Sequence, residues 1–398
     1  MDDIQTSVAK PLYAARRFRF PFRYHDHLHA DANINYQLNR FLGEEEEHDL
    51  RALGASIHDL ADWKREMNDR ALRAEAAGET ARACRYHRAA EFFMAPGDPD
   101  KERAYDRFVA LFNELHDGTL ERLTIPYGAH TLSAIRLRAA APRGLIVMHA
   151  GFDAFIEELY PFGEALEESG FDVVMFDGPG QGETLVKQHL PMTHAWEAPV
   201  RAVLDSLGAN DVTLLGISLG GYLAPRAAAF DARVTRVIAF DAMYDFFGAA
   251  LAHTNRWLSA AARPLLGTRA TRPIVDAVAR SLMSRDLTVD WGIRQGMYVT
   301  GTQSPSEFLR SIESYTLRDV AATVTADVLI LAGSEDHHVP ADQFERQIRA
   351  CTSARSVTAR RFTRAEGGHA HCQIGSLDLA VSTIARWIQE RTDARRSA

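Results

Sequence analysis

The sequence predicts an α/β protein built on a doubly wound, mostly parallel sheet, with a helical module at the N-terminal end and a helical cap inserted late in the strand series. Three observations carry this reading. Beyond residue 118, short apolar strand-like runs alternate with amphipathic helical patterns. Two stretches, 36–117 and 245–325, show helical spacing without strands. A Gly-x-Ser-x-Gly sequence falls where an apolar run meets an alanine-rich helix. At 398 residues, 46% of them hydrophobic, the chain is long enough for one large core and a further module.

In the first segment, apolar positions recur at helical spacing in Leu60, Trp63, Met67 and Ala71 and again in Tyr86, Ala90 and Phe93, broken at Gly78 and Pro96. Residues 1–117 are therefore assigned to an N-terminal helical module. After Gly118, the segments 120–127 and 131–137 have β patterning, and the apolar run 145–149 suits a strand buried on both faces. A helix at 157–169, a strand at 172–176, a helix at 196–207, a strand at 212–216, a helix at 219–230 and a strand at 234–240 follow. That order specifies crossover connections and a parallel sheet, which makes 118–245 the first part of the core. Helical spacing returns in Trp257, Leu258, Leu265, Ile274, Val278 and Leu282 and later in Phe308 and Ile312, so 246–325 is read as an inserted cap. A strand at 328–332, a helix at 342–350, a strand at 357–362 and a helix at 377–389 complete the core over 326–398.

Composition narrows the function classes. Forty-five basic against fifty-three acidic residues give a net charge of -8, and no basic stripe interleaves with aromatics, so nucleic acid is not an expected partner. Residues 1–10 are polar and acidic, without the charged and apolar regions of a secretory signal, which points to a cytoplasmic protein. No apolar run approaches the roughly 20 residues that span a bilayer, so no membrane partner is expected. Cys84, Cys351 and Cys372 neither pair by count nor adopt zinc-ligand spacing. His25, His27 and His29 alternate with Asp26 and Asp31 much as metal ligands do, but a polar stretch of this kind reads as an exposed segment, and neither a metal nor another cofactor is expected.

The chemistry is concentrated in Gly216-Ile217-Ser218-Leu219-Gly220. A serine on a sharp strand-to-helix turn is lifted above the sheet edge as a nucleophile, and the small residues Gly216, Gly220 and Gly221 let such a turn close. At the helix start, the Leu219 backbone N–H is free to donate to an oxyanion. The loop after the 145–149 strand, His149-Ala150-Gly151-Phe152-Asp153, supplies the candidate second donor in the Phe152 amide. A third loop, Asp177-Gly178-Pro179-Gly180-Gln181-Gly182, lacks dinucleotide-fingerprint spacing and is expected to line the site as a tight turn.

An acid and a base follow the serine in chain order. Asp336 ends the apolar run 329–332 in a turn closed by Pro340; Glu335, Asp241 and Asp245 are its rivals. For the base, Glu366-Gly367-Gly368-His369-Ala370-His371-Cys372-Gln373 offers both His369 and His371, and spacing does not choose between them. His337 and His338, directly after the acid, are weaker candidates for the base, with lining the site as their other reading.

With these landmarks the chain resembles the α/β-hydrolase superfamily, and within it the family of bacterial 2,6-dihydroxypseudooxynicotine hydrolase and the fungal polyketide-chain-shortening pigment hydrolases. The resemblance rests on Trp63 with the stretch Arg85-Tyr86-His87-Arg88-Ala89-Ala90-Glu91-Phe92-Phe93, on Gly151-Phe152-Asp153 with Glu157-Glu158-Leu159-Tyr160, on the glycine loop after Asp177, on the elbow, and on His371-Cys372-Gln373 with Trp387. It implies His371 as the base, beside Ser218 and Asp336, because the family's catalytic histidine precedes a cysteine. Ala150 and Ala370 depart from the pattern, where a glycine and an acidic residue are frequent. The resemblance also implies an additional acidic residue, with Asp241 and Asp245 as candidates, and substrate contacts at Asp153, Tyr160 and Tyr222. Its implied chemistry is hydrolysis of a carbon-carbon bond beside a ketone in a small 1,3-dicarbonyl or acyl-aromatic molecule, without a cofactor, the helical module covering the site or building a homodimer. Two alternatives remain: an esterase, thioesterase or acyltransferase, and a non-catalytic interaction protein that keeps the fold.

Overall fold

A computed structural model describes residues 23–396 except 117, 119, 253 and 255. The polar segment 1–10 lies outside these residues. Five helices come first: α1 (Ala32–Leu42), α2 (Glu47–Ser56), α3 (Leu60–Ala76), α4 (Thr80–Phe92) and α5 (Lys101–Leu115). Asp31 starts α1 by accepting the Asn33 and Ile34 backbone N–H groups, each at 2.9 Å, which satisfies donors that a helix end otherwise leaves orphaned.

The strand series opens with β1 (Glu121–Tyr127), β2 (His130–Leu137) and β3 (Leu145–His149), followed by α6 (Ile156–Glu168), β4 (Asp172–Asp177), the short helix α7 (Gly182–Val186) and α8 (Glu197–Leu207). Next come β5 (Val212–Ile217), α9 (Gly220–Phe230) and β6 (Val234–Phe240). The inserted cap holds α10 (Phe246–Ala250), α11 (Arg256–Leu266), α12 (Arg272–Met283), α13 (Leu287–Thr300) and α14 (Pro305–Ser311). The chain returns through β7 (Asp327–Gly333), α15 (Asp342–Ala350), β8 (Ser356–Phe362) and α16 (Leu377–Arg396). The eight strands form one sheet in the order β1-β2-β4-β3-β5-β6-β7-β8, with β1 and β2 antiparallel to their neighbours and all other pairs parallel. Among the described residues, no helix is long and apolar enough to cross a membrane.

The N-terminal helices do not form a core of their own. Trp63, Met67, Tyr86 and Phe108 belong to the same buried apolar cluster as Ile146 and Met148 of β3, Phe162 of α6 and Trp387 of α16. The opposite sheet face packs on α8 and α9 and on cap residues such as Leu266 and Phe308. The physical reason is area: the helical stripe of α3 and α4 is wide enough to bury Trp63 completely, its Nε1–H donating to the Ala89 carbonyl at 2.6 Å, but it still needs an apolar surface beyond itself. The sheet edge over which the core carboxyl ends converge is thereby roofed from two sides, by α1 and α4 and by the cap.

Candidate active site

Strand β5 delivers Ser218 into a left-handed backbone conformation, φ 61°, and the chain turns at once into α9. Such a conformation is costly for a side-chain-bearing residue and persists only where the surroundings enforce it. They do so here by contact: the Ser218 backbone N–H donates to the Phe240 carbonyl at 2.6 Å. A Cβ on Gly216 would lie 2.1 Å from the Gly220 carbonyl oxygen, and one on Gly221 would lie 1.6 Å from that of Asp241. The elbow closes only with glycine at both positions.

The Ser218 Oγ lies 2.8 Å from His371 Nε2, and His371 Nδ1 lies 2.6 Å from Asp336 Oδ2. With the proton on Nδ1, the ring donates to the carboxylate and accepts from the hydroxyl. Asp336 is itself fixed, because its Oδ1 accepts the backbone N–H groups of His338 at 2.7 Å and Val339 at 3.0 Å. A second carboxylate meets the same imidazole: Asp241 Oδ2 is 3.2 Å from His371 Nδ1. Asp241 also accepts from the Cys372 backbone N–H and from Gln373 Nε2, both at 2.6 Å.

Burial shapes the charges of this group. It opposes the charged form of His371, but the nearby Asp336 carboxylate, the Cys372 thiol and the hydrogen bonds to Asp241 and Asp336 outweigh it, raising the imidazole well above its ordinary value. For Asp336 burial again opposes ionisation, yet the His371 charge and hydrogen bond carry the carboxyl below the usual range. For Asp241 burial prevails, reinforced by the Asp336 charge, and its carboxyl is raised. One ionised carboxylate and one that retains its proton more readily therefore share a single imidazole.

Of the other residues named from the sequence, several stand elsewhere. His369 is buried with its ring edge-on to Tyr24, centroids 5.3 Å apart. Glu335 is half-exposed and paired with Arg364 at 2.5 Å. Asp245 starts α10 by accepting the Gly248 N–H at 3.1 Å. Phe152 and Asp153 do line the cavity over Ser218. Tyr160 and Tyr222 do not: Tyr160 is buried against Phe112 and His116, and the Tyr222 hydroxyl is tied to the His194 and Ser314 carbonyls at 3.1 and 3.3 Å. Both are packing positions outside the cavity wall. The glycine loop after Asp177 also differs from expectation. It sits behind the 150–153 loop, where Gln181 Nε2 donates to the Ala150 and Gly151 carbonyls.

In the histidine cluster near residue 25, His27 is exposed, whereas His25 and His29 are half-buried and used internally. His29 Nε2 lies 3.0 Å from the Ile57 carbonyl, its Nδ1 accepts the Asp31 N–H, and His25 pairs with Glu47. Among the described residues, the group with metal-ligand proximity is Asp241, His371 and Cys372, and it coincides with the hydrogen-bonded line.

The cavity has a volume of about 470 Å³ and a largely apolar wall. Leu265, Ile274 and Val278 of the cap and Phe152 bound it on one side, and Tyr36 and Arg40 of α1 on the other. Tyr36 bonds through its hydroxyl to the His371 carbonyl at 3.3 Å, and Arg40 pairs with Asp153 at 3.0 Å and Glu158 at 2.7 Å. Neither was identified from the sequence; the signal available was that Tyr36 and Arg40 are four apart and so share one face of α1. His338 also lines the cavity, its ring 5.0 Å from that of His371.

Comparison with known proteins bears on this site. The profile described as "Alpha/beta hydrolase family" matches residues 145–373. Hydrolase acrC of Aspergillus aculeatus is 30% identical over 357 residues, covering 81% of this chain and 82% of the relative. The 20-hydroxy-prefusarin hydrolase FUS2 of Gibberella moniliformis is 26% identical over 379 residues, covering 85% and 90%. Among solved structures, that of the 2,6-dihydroxy-pseudo-oxynicotine hydrolase superposes with a TM-score of 0.59 at 19% identity, over 88% of this chain and 93% of that one, a likeness of fold.

Proposed function

The chain belongs to the alpha/beta hydrolase family, and from that premise we propose that it is a serine hydrolase acting on a small carbonyl compound. The observation that carries the proposal is the unbroken line from Ser218 Oγ through His371 to Asp336, with hydrogen bonds of 2.8 and 2.6 Å, opening onto an apolar cavity. Ser218 attacks the carbonyl carbon as His371 takes its proton, and Asp336 holds the ring in the tautomer that can do so. The resulting oxyanion is met by the backbone N–H groups of Leu219 and Phe152. Collapse expels a leaving group that His371 protonates, and water then hydrolyses the acyl-enzyme through the same steps.

The bond we favour is a carbon-carbon bond beside a ketone, in a 1,3-dicarbonyl or acyl-aromatic substrate. The support is the resemblance in motifs and the likeness to relatives named 20-hydroxy-prefusarin hydrolase and 2,6-dihydroxy-pseudo-oxynicotine hydrolase. Such a leaving group departs as an enolate or electron-rich aromatic carbanion, which His371, held close to its cationic form, is suited to protonate. A panel of β-diketones beside short acyl esters tests this: turnover of diketones supports it, and rapid ester turnover with inert diketones sinks it in favour of an esterase.

The pH profile follows from the same charges. His371 must be neutral to accept the Ser218 proton, and its pKa is raised, so kcat/KM is expected to climb with pH along a limb centred above the ordinary histidine value of about 6.5. Asp336→Asn removes the largest favourable influence on the imidazolium and should move that limb to lower pH. The raised pKa also means that the imidazolium's interactions stabilise the fold fully below about pH 6.5, down to the range where Asp336 takes up a proton, and progressively less as pH rises through the folded value. A limb at or below the ordinary value in the wild type would count against His371 as the base.

A further inference from the structure

The 150–153 loop is held from behind at successive carbonyls. Gln181 Nε2 donates to Ala150 O at 2.8 Å and to Gly151 O at 2.9 Å, while its Oε1 accepts the Gly178 N–H at 3.0 Å. All the polar atoms of that amide are thus engaged, and Gln181 is 2% exposed. One step on, Arg88 of α4 donates through Nη2 to Asp153 O at 2.5 Å. The loop rests on the elbow so closely that a Cβ on Gly151 would lie 2.5 Å from Leu219 N. Among the described residues, neither the Phe152 nor the Leu219 backbone N–H has an acceptor.

The peptide joining Gly151 to Phe152 carries the Gly151 carbonyl and the Phe152 N–H, and a trans peptide points these in opposite directions. Whatever fixes one fixes the other. A glycine at this peptide has no side chain to resist rotation, so on its own the unit could equally present its oxygen, which would repel a developing oxyanion. We infer that Gln181 is a positioning residue for catalysis: by drawing the Ala150 and Gly151 carbonyls to the rear of the loop, it turns the Phe152 N–H toward the space above Ser218. Gln181 does not touch the cavity, which is bounded in front of the loop it holds. Arg88 does the same for the far end of the loop, which links the N-terminal module to the oxyanion site. The inference rests on reading Ser218 as the nucleophile and is independent of which bond is cleaved.

Gln181→Glu tests it, because the side chain keeps its length but sets an oxygen against two carbonyl oxygens. The expected result is a fall in kcat of about 10²-fold with KM changed by less than about threefold. Affinity for a boronic acid, which forms a tetrahedral adduct with the serine, should fall by the same factor as kcat, and affinity for the reaction product should not change. A merely structural role would lower the fraction of active enzyme and leave the behaviour of that fraction intact. The bimolecular rate of Ser218 labelling by a fluorophosphonate, measured per labelled molecule, separates these even where much of the variant misfolds, and Gln181→Met provides a second substitution without a donor. Labelling at the wild-type rate in both variants, or a loss of kcat with boronate affinity unchanged, overturns the inference while leaving the hydrolase reading intact. A wild-type protein that fails to label at Ser218 overturns the nucleophile reading and this inference with it.

Discussion

Ser218→Ala is expected to lower kcat by about 10⁶-fold while substrate affinity stays near that of the wild type. The size of the effect follows from the geometry. The Oγ is the only atom removed, and it is the atom 2.8 Å from His371 Nε2. Affinity is retained because the cavity is bounded mainly by apolar side chains of the cap and the loop at Phe152, none of which the substitution alters. The elbow itself should survive, since its left-handed turn is held by the Phe240 carbonyl and by the absence of Cβ atoms at Gly216 and Gly221. Single-turnover kinetics with a binding measurement on the same protein checks both halves. A variant that keeps more than about 1% of wild-type kcat would remove Ser218 from the mechanism.

Asp336→Ala should behave unusually for a residue in this role. In an ordinary triad, disabling the acid costs about 10⁴-fold in kcat because the histidine loses its tautomer and its orientation. Here Asp241 Oδ2 stands 3.2 Å from the same Nδ1 and is itself anchored by the Cys372 N–H and the Gln373 side chain. With Asp336 gone, burial still raises the Asp241 carboxyl but the charge that reinforces it is gone, so Asp241 ionises more readily and can hold the ring. We expect Asp336→Ala to cost about 10²-fold, Asp241→Asn less than that, and the double variant to approach the full 10⁴-fold loss, a coupling that a double-mutant cycle measures directly. If Asp336→Ala alone reaches the full loss and adding Asp241→Asn changes nothing further, Asp241 serves only to place the Cys372 backbone.

Much of this fold was legible because its signals are local. The buried strands β3, β5, β6 and β7 are short apolar runs, the helices between them keep a 3.6-residue stripe, and the elbow glycine Gly216 is demanded by a contact with Gly220, four residues on. Asp336 and His371 were legible as candidates for a related reason, since each follows a strand that topology brings to the same sheet edge. Choosing His371 over His369 was beyond spacing and came from the resemblance. What sequence did not disclose is long-range. Tyr36 reaches His371 across 335 positions, Arg40 meets Asp153 across 113, and Gln181 braces Gly151 across 30. No periodicity encodes such pairings. Tyr160 and Tyr222 were misplaced for a different reason: each adjoins residues of the site in sequence, but the turn of its helix directs it into packing against Phe112 or toward the Ser314 carbonyl. The short helix α7 was missed because five residues after a glycine loop carry too little pattern to register.

Peptide mapping after brief exposure to a fluorophosphonate tests whether Ser218 is the activated nucleophile of this chain. One adduct is expected, on the peptide containing Ser218, forming faster as pH rises through the His371 transition and absent from Ser218→Ala. An adduct on another serine, or none on protein shown to be folded, would contradict it.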